Sequence, residues 1–241
     1  MFAEQERVGN IKEKKSMYNN GKLDSEKRIE AVIFDLDGTL LDTLVDLKNA
    51  VNAALAAFYM PERTLEEIRT FVGNGVRNLM IKSVPGGEGN PDFEEALSFF
   101  TKYYKVHCKE NTGPYPGILA MMKALSDKGI PMGVVSNKLD PAVKELCQEH
   151  FGSYIQVAIG EMPQVERKPA PGMVHMALDM LGVQKEQAIY VGDSEVDIAT
   201  ARNAGLDSVC VTWGFRDEDL LKECGGEVFI HNPQELLGYI D

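Results

Sequence analysis

Short runs of apolar and β-branched residues recur along this chain with little polar alternation: residues 31–35, 131–136, 156–159, 188–192 and 208–212, with 228–230 a weaker sixth. A strand with one face in water alternates apolar and polar side chains, whereas a continuous apolar strand needs cover on both faces. Segments with helical spacing separate these runs, at 118–128, 141–149, 172–181 and 197–204. Strands alternating with helices predict an α/β fold, a Rossmann-like, doubly wound parallel sheet.

Between the first two runs lies a stretch too long for one crossover. It contains amphipathic helical segments, for example 47–58 and 93–105, and leaves through Pro114, Pro116 and Gly117, residues that suit a hinge. The expected organisation is an N-terminal extension over 1–28, a core over 29–43 and 114–241, and an inserted helical cap over 44–113. The extension holds twelve charged side chains and no apolar stretch resembling a signal-peptide core. No run approaches the length that crosses a bilayer.

The formal net charge of -12 argues against nucleic acid and anionic membranes as partners, so an anionic ligand must be held by a few local cations. The four cysteines show no C-x-x-C pair and no zinc spacing with the four histidines, and reduced thiols are expected. The expected setting is cytoplasmic, as a monomer or dimer.

Sites in this fold class form beyond the carboxyl ends of the strands. Asp35 ends the first run, Ser136 the second, and Asp193 follows the fourth. Asp35 and Asp37, two residues apart, sit on the same side until Gly38 turns the chain. With Asp193 they make an acidic cluster suited to a hard cation. Taken alone, Arg167 and Lys168 read as solvated surface side chains, and the extended conformation that Pro169 imposes favours Lys168 as the one to point inward. Lys138 is expected to be a solvated surface side chain. Asp42 and Thr43 are expected to cap the entry to the insertion.

The ordered segments Asp35-Leu36-Asp37-Gly38-Thr39, Val134-Val135-Ser136-Asn137-Lys138, Lys168-Pro169 and Gly192-Asp193-Ser194-Glu195-Val196-Asp197 closely resemble the four motifs of haloacid dehalogenase superfamily phosphatases. That resemblance spans roughly Arg28 to the C-terminus. It implies a magnesium-dependent phosphate-monoester hydrolase acting on a small phosphorylated metabolite. Asp35 would be the nucleophile and Asp37 the acid–base. Thr39, Ser136, Asn137 and Lys168 would bind phosphate. Asp35, the Asp37 backbone carbonyl and Asp193 would hold Mg2+, with Asp197 orienting metal-bound water or the lysine.

Within the insertion, Phe71-Val72-Gly73-Asn74-Gly75-Val76-Arg77 looks like the cap loop of the phosphoglycolate phosphatase branch, as does Thr212-Trp213-Gly214-Phe215 after the fifth run. Asn74 and Arg77 are the expected substrate contacts there, reading a carboxylate or second anionic group. An inorganic pyrophosphatase or a β-phosphoglucomutase-like phosphotransferase would share the core motifs. A catalytically silent binding module is the alternative from another class. Asp37 argues against a dehalogenase, which lacks the second acid.

Overall fold

The apolar runs do form strands covered on both faces. The computed structural model describes residues 28–240 together with the two-residue strands β1 (Tyr18–Asn19) and β2 (Lys22–Leu23), which pair antiparallel. The expected N-terminal extension otherwise lies outside the described residues.

The chain continues through β3 (Ala31–Phe34) and β4 (Leu41–Asp42) into four helices, α1 (Leu44–Ala57), α2 (Leu65–Phe71), α3 (Gly75–Ser83) and α4 (Phe93–His107). It returns through β5 (Gly113–Pro114), α5 (Ile118–Asp127), β6 (Met132–Leu139), α6 (Asp140–Phe151) and β7 (Val157–Glu161). There follow α7 (Gly172–Leu181), β8 (Ala188–Gly192), α8 (Glu195–Ala204), β9 (Asp207–Val211), α9 (Glu218–Glu223) and β10 (Phe229–Ile230).

One parallel sheet runs in the order β10-β9-β8-β3-β6-β7. β3 is central, and the order departs from it in both directions, so the ends of β3, β6 and β8 lie side by side at the switch point. Along β3, Val32 and Phe34 pack with Met122, Leu125 and Leu146 from α5 and α6. Ala31 and Ile33 pack on the opposite face with Met173, Ala177 and Ala201 from α7 and α8. Full burial of an aliphatic or aromatic side chain of this size contributes roughly 1.5–3 kcal/mol. This is why an unalternating apolar run is the stable sequence here.

The helices α1 to α4 have a core of their own, built on Leu55, Ile68, Met80 and Phe100. Thr64 and Glu67 form a reciprocal capping box at the start of α2, a motif worth about 1 kcal/mol. The two chain segments joining these helices to the sheet run side by side, β4 pairing antiparallel with β5. Asp46, in the first turn of α1, staples the same junction. Its carboxylate accepts from the backbone N–H groups of Asn111 and Thr112 and from both side chains, at 2.8–3.0 Å. Asp42 accepts from the Leu44 N–H at the start of α1, whereas the Thr43 hydroxyl is buried without a partner and does not cap. Among the described residues, no helix is long and apolar enough to cross a membrane.

The second apolar run extends beyond its expected end. β6 continues from Ser136 to Leu139, with its pairing to β7 irregular between Val135 and Leu139. The bare Cα of Gly160 on β7 allows this, because a Cβ there would collide with the backbone at Lys138 and Asp140. The extension carries Asn137 and Lys138 into the cleft between sheet and helices.

Candidate active site

Two strand ends deliver the acids. Asp35 follows β3 directly, and its N–H donates to the Val191 carbonyl on β8. Asp193 and Asp197 flank the start of α8, where Asp197 closes a capping box by accepting from the Ser194 N–H and hydroxyl at 3.1 and 2.5 Å. Asp35, Asp193 and Asp197 are buried, and each offers a carboxylate oxygen within 4.8 Å of the others. Burial first, then repulsion from Asp197, pushes Asp193 up to about 7. The same two causes raise Asp35 well above the carboxylate range, against the pull of Lys168. Closely spaced buried acids with hard oxygen donors fit a hard divalent cation, which would relieve that repulsion.

Lys168 lies among them as the expected cation. Its Nζ donates to Asp35 at 2.6 Å, to Asp197 at 2.8 Å and to the Tyr190 hydroxyl at 3.1 Å. Burial works against its charge, but Asp197 and Asp35 prevail and hold its pKa well above the lysine norm. Arg167 is exposed, as the choice between the two neighbours requires. Tyr190, the middle residue of β8, also donates to Asp197 at 3.1 Å.

Small residues let the acids in. Gly38 has φ +90, and a Cβ there would fall on the Asp193 carboxylate and the Phe215 ring. The Phe215 N–H and the Thr39 hydroxyl donate to the two oxygens of Asp193, at 2.7 and 3.2 Å. Thr39 is thus placed against Asp193, and it does not line the cavity.

The cavity is bounded on the sheet side by Asp35, Asp37, Ser136, Asn137, Lys138 and Lys168. On the helix side stand Leu47, Val72, Gly73, Val76, Leu79 and Tyr104. Asn137 spans the two, its amide donating to the carbonyls of Gly73 and Lys168 at 3.2 and 3.1 Å. Ser136 is buried, and its hydroxyl accepts from the Lys138 N–H.

Lys138 corrects the expectation of a solvated lysine. It is 7 % exposed and donates to Asp37 at 2.9 Å and to the Tyr104 hydroxyl at 2.6 Å. Burial opposes its charge, but Asp37 and Tyr104 outweigh that and raise its pKa. The available signal was its position two residues beyond Ser136, on the same side of a continuing strand.

Arg77 corrects the other way. Its guanidinium is paired with Glu88 at 2.7 Å and Glu94 at 2.6 Å and lies over the Phe93 ring, on the exposed surface of the helices. It does not line the cavity. Asn74 precedes α3 as its N-cap residue without a side-chain cap bond, and it too is absent from the lining, although Gly73 and Gly75 beside it are present.

Arg216 was not foreseen. It is buried, pairs with Glu195 at 2.8 Å, and donates to the carbonyls of Arg69 and Val72 at the end of α2, at 2.8 and 2.7 Å. Arg69 reciprocates, donating to the Gly214 carbonyl and to Asp217. These bonds tie the helical layer to the loop after β9.

A family model described as haloacid dehalogenase-like hydrolase matches residues 32–211. Phosphoglycolate phosphatase 1 of Pseudomonas aeruginosa is 33% identical over 216 residues, covering 87% of this chain and 79% of its own length. The phosphoglycolate phosphatase of Rhodobacter capsulatus is 36% identical over 195 residues, with 79% and 87% covered. The crystal structure of a candidate phosphoglycolate phosphatase from Lactobacillus delbrueckii subsp. bulgaricus matches with TM-score 0.84 at 36% identity, covering 88% of this chain and 99% of that one.

Proposed function

Because the chain belongs to the haloacid dehalogenase-like hydrolase family and is a phosphatase of the phosphoglycolate phosphatase type, we propose that it hydrolyses 2-phosphoglycolate or a close analogue through a phosphorylated Asp35. The observation that carries this reading is the Lys168 ammonium held 2.6 Å from Asp35 at the floor of the cavity. A buried carboxylate beside a fixed cation, facing open space, is an arrangement for receiving an electrophilic anion.

In the first step an Asp35 oxygen bonds to phosphorus as the ester P–O bond breaks, and Asp37 gives a proton to the departing alkoxide. In the second, water attacks phosphorus, Asp37 takes its proton, and the Asp35–phosphate bond breaks to release phosphate. Dividing the displacement this way makes each barrier lower, and acid–base assistance of this kind contributes ~10²–10⁴-fold. Lys168 stabilises the equatorial oxygens of the transferring group, and Ser136 with the Asn137 N–H donates to them. Asp197 grips Lys168 from behind and fixes its direction. Tyr190 supports the same lysine.

Asp35, Asp193 and the backbone carbonyl of Asp37 are the groups that would hold magnesium, since both oxygens of Asp197 are engaged by Lys168 and Ser194. Bound magnesium supplies positive charge that offsets the acids and the incoming phosphate. Residues 44–113 act in this reading as a cap that closes the site from water.

The test is phosphate release from phosphoglycolate, pyrophosphate, hexose phosphates and an aryl phosphate, with and without magnesium. The expected result is magnesium-dependent release led by phosphoglycolate. Release led by pyrophosphate or a sugar phosphate keeps the Asp35 chemistry and removes the substrate. No release from any of them removes the reading.

A further inference from the structure

Two side chains inside the cavity keep a donor hydrogen that the reaction just described does not use. Lys138 has three N–H groups. Two are spent on Asp37 and Tyr104, and the third meets no acceptor among the described residues. Tyr104, on α4, accepts from Lys138, so its own hydroxyl hydrogen is free, and it too meets no acceptor among the described residues. Both side chains are about nine-tenths buried or more, at 7 % exposure each. Lys168 differs, because its three N–H groups are engaged by Asp35, Asp197 and Tyr190.

Lys138 and Tyr104 line the cavity against a wall that is otherwise apolar, formed by Leu47, Val72, Val76 and Leu79. Buried donors with nothing to bind are costly, and their cost is removed by an acceptor that arrives with the ligand. Two convergent donors, one of them charged, match the two oxygens of a carboxylate. Their place beside Asp37, and not beside Lys168, sets them on the leaving-group side of the reaction.

We propose that Lys138 and Tyr104 form the subsite that reads a carboxylate on the leaving alcohol, restricting the enzyme to phosphate esters of short hydroxy acids. This rests on the phosphatase reading above and deepens it. Lys138 comes from the sheet and Tyr104 from the helical layer, so the subsite is complete only when the two layers are together. The apolar wall gives a neutral hydroxylated leaving group, such as a sugar, no partner for its hydroxyls. Arg77, committed to Glu88 and Glu94 on the outside, takes no part.

The experiment compares 2-phosphoglycolate with ethyl phosphate, which carries a methyl group in place of the carboxylate, under magnesium. Wild-type kcat/KM is expected to favour phosphoglycolate by on the order of 100-fold, the worth of one to two charge-assisted hydrogen bonds. Lys138→Met lowers turnover of both esters, because Asp37 loses its partner, but it also cuts the preference by about tenfold or more, through KM. Lys138→Arg retains most of the preference. Tyr104→Phe lowers it several-fold and provides an independent measure should the buried methionine prevent folding.

Equal losses for the two esters in both variants would overturn the assignment. So would a wild-type enzyme that releases phosphate from other monoesters without preferring phosphoglycolate, an outcome that leaves the phosphatase reading standing. Absence of any magnesium-dependent release overturns both.

Discussion

The two walls of the cavity are built on different physics. On the sheet side the charges are held by opposite charges or by hydrogen bonds: Lys168 by Asp35 and Asp197, Asp193 by the Phe215 N–H and Thr39. On the helix side the wall is aliphatic, relieved only by Tyr104 and by the bare backbone at Gly73 and Gly75. A network of mutually fixed charges cannot be altered at one point without exposing the rest, whereas an apolar wall tolerates changes of shape. The sheet side is therefore where the reaction is held, and choice among substrates falls to the helix side together with Lys138, the sheet residue that reaches Tyr104.

The comparison breaks first at Asp35. Asp35→Asn keeps the shape and removes the nucleophile, so turnover should fall by about 10⁴-fold or more. Circular dichroism should meanwhile remain that of the folded protein. Turnover close to wild type would mean that the sheet side does not carry the reaction as argued.

A smaller effect is expected where the two layers join. Asp46→Ala removes the acceptor of five hydrogen bonds at that junction, and the protein should lose about 3 kcal/mol in urea unfolding. Burial pushes the Asp46 carboxyl up, but the bonds from Asn111 and Thr112 outweigh it and leave the pKa below its ordinary value. A carboxyl depressed on folding stabilises the native state fully above its unfolded pKa, near 4, and loses that contribution as pH falls through the folded value. The difference between wild type and Asp46→Ala should hence be constant from neutral pH to about 5 and shrink below about 4. A gap that stays the same at pH 3 would show that the carboxylate acts by packing and not by charge.

The smallest effect sharpens the comparison. Arg77→Ala should alter kcat/KM by less than about twofold and leave the urea midpoint nearly unchanged, since exposed ion pairs contribute little. A selective loss for carboxylated esters would shift the anion reader from Lys138 to the surface of α3.

The sheet and its acids were legible because both faces of the central strands are covered, so that the strands read as unbroken apolar runs, and because polar residues at the ends of such runs have one place to go. Lys138 was not legible. A lysine has the same letter buried or exposed, and what buries it is Tyr104, thirty-four positions away on another layer. Arg77 misled for the same reason, as its partners Glu88 and Glu94 lie eleven and seventeen positions on, across a turn of α3 against α4. The β4–β5 ribbon is two residues per strand, below what periodicity can register. Arg216 carries no pattern at all, because its acceptors are backbone carbonyls, which every residue has.

Phe215 and Arg216 are consecutive, yet they hold different layers of the molecule. The N–H of the first fixes Asp193, and the guanidinium of the second fixes the carbonyls that end α2. One peptide unit thus joins the hold on the end of α2 to the hold on Asp193, one of the three clustered acids.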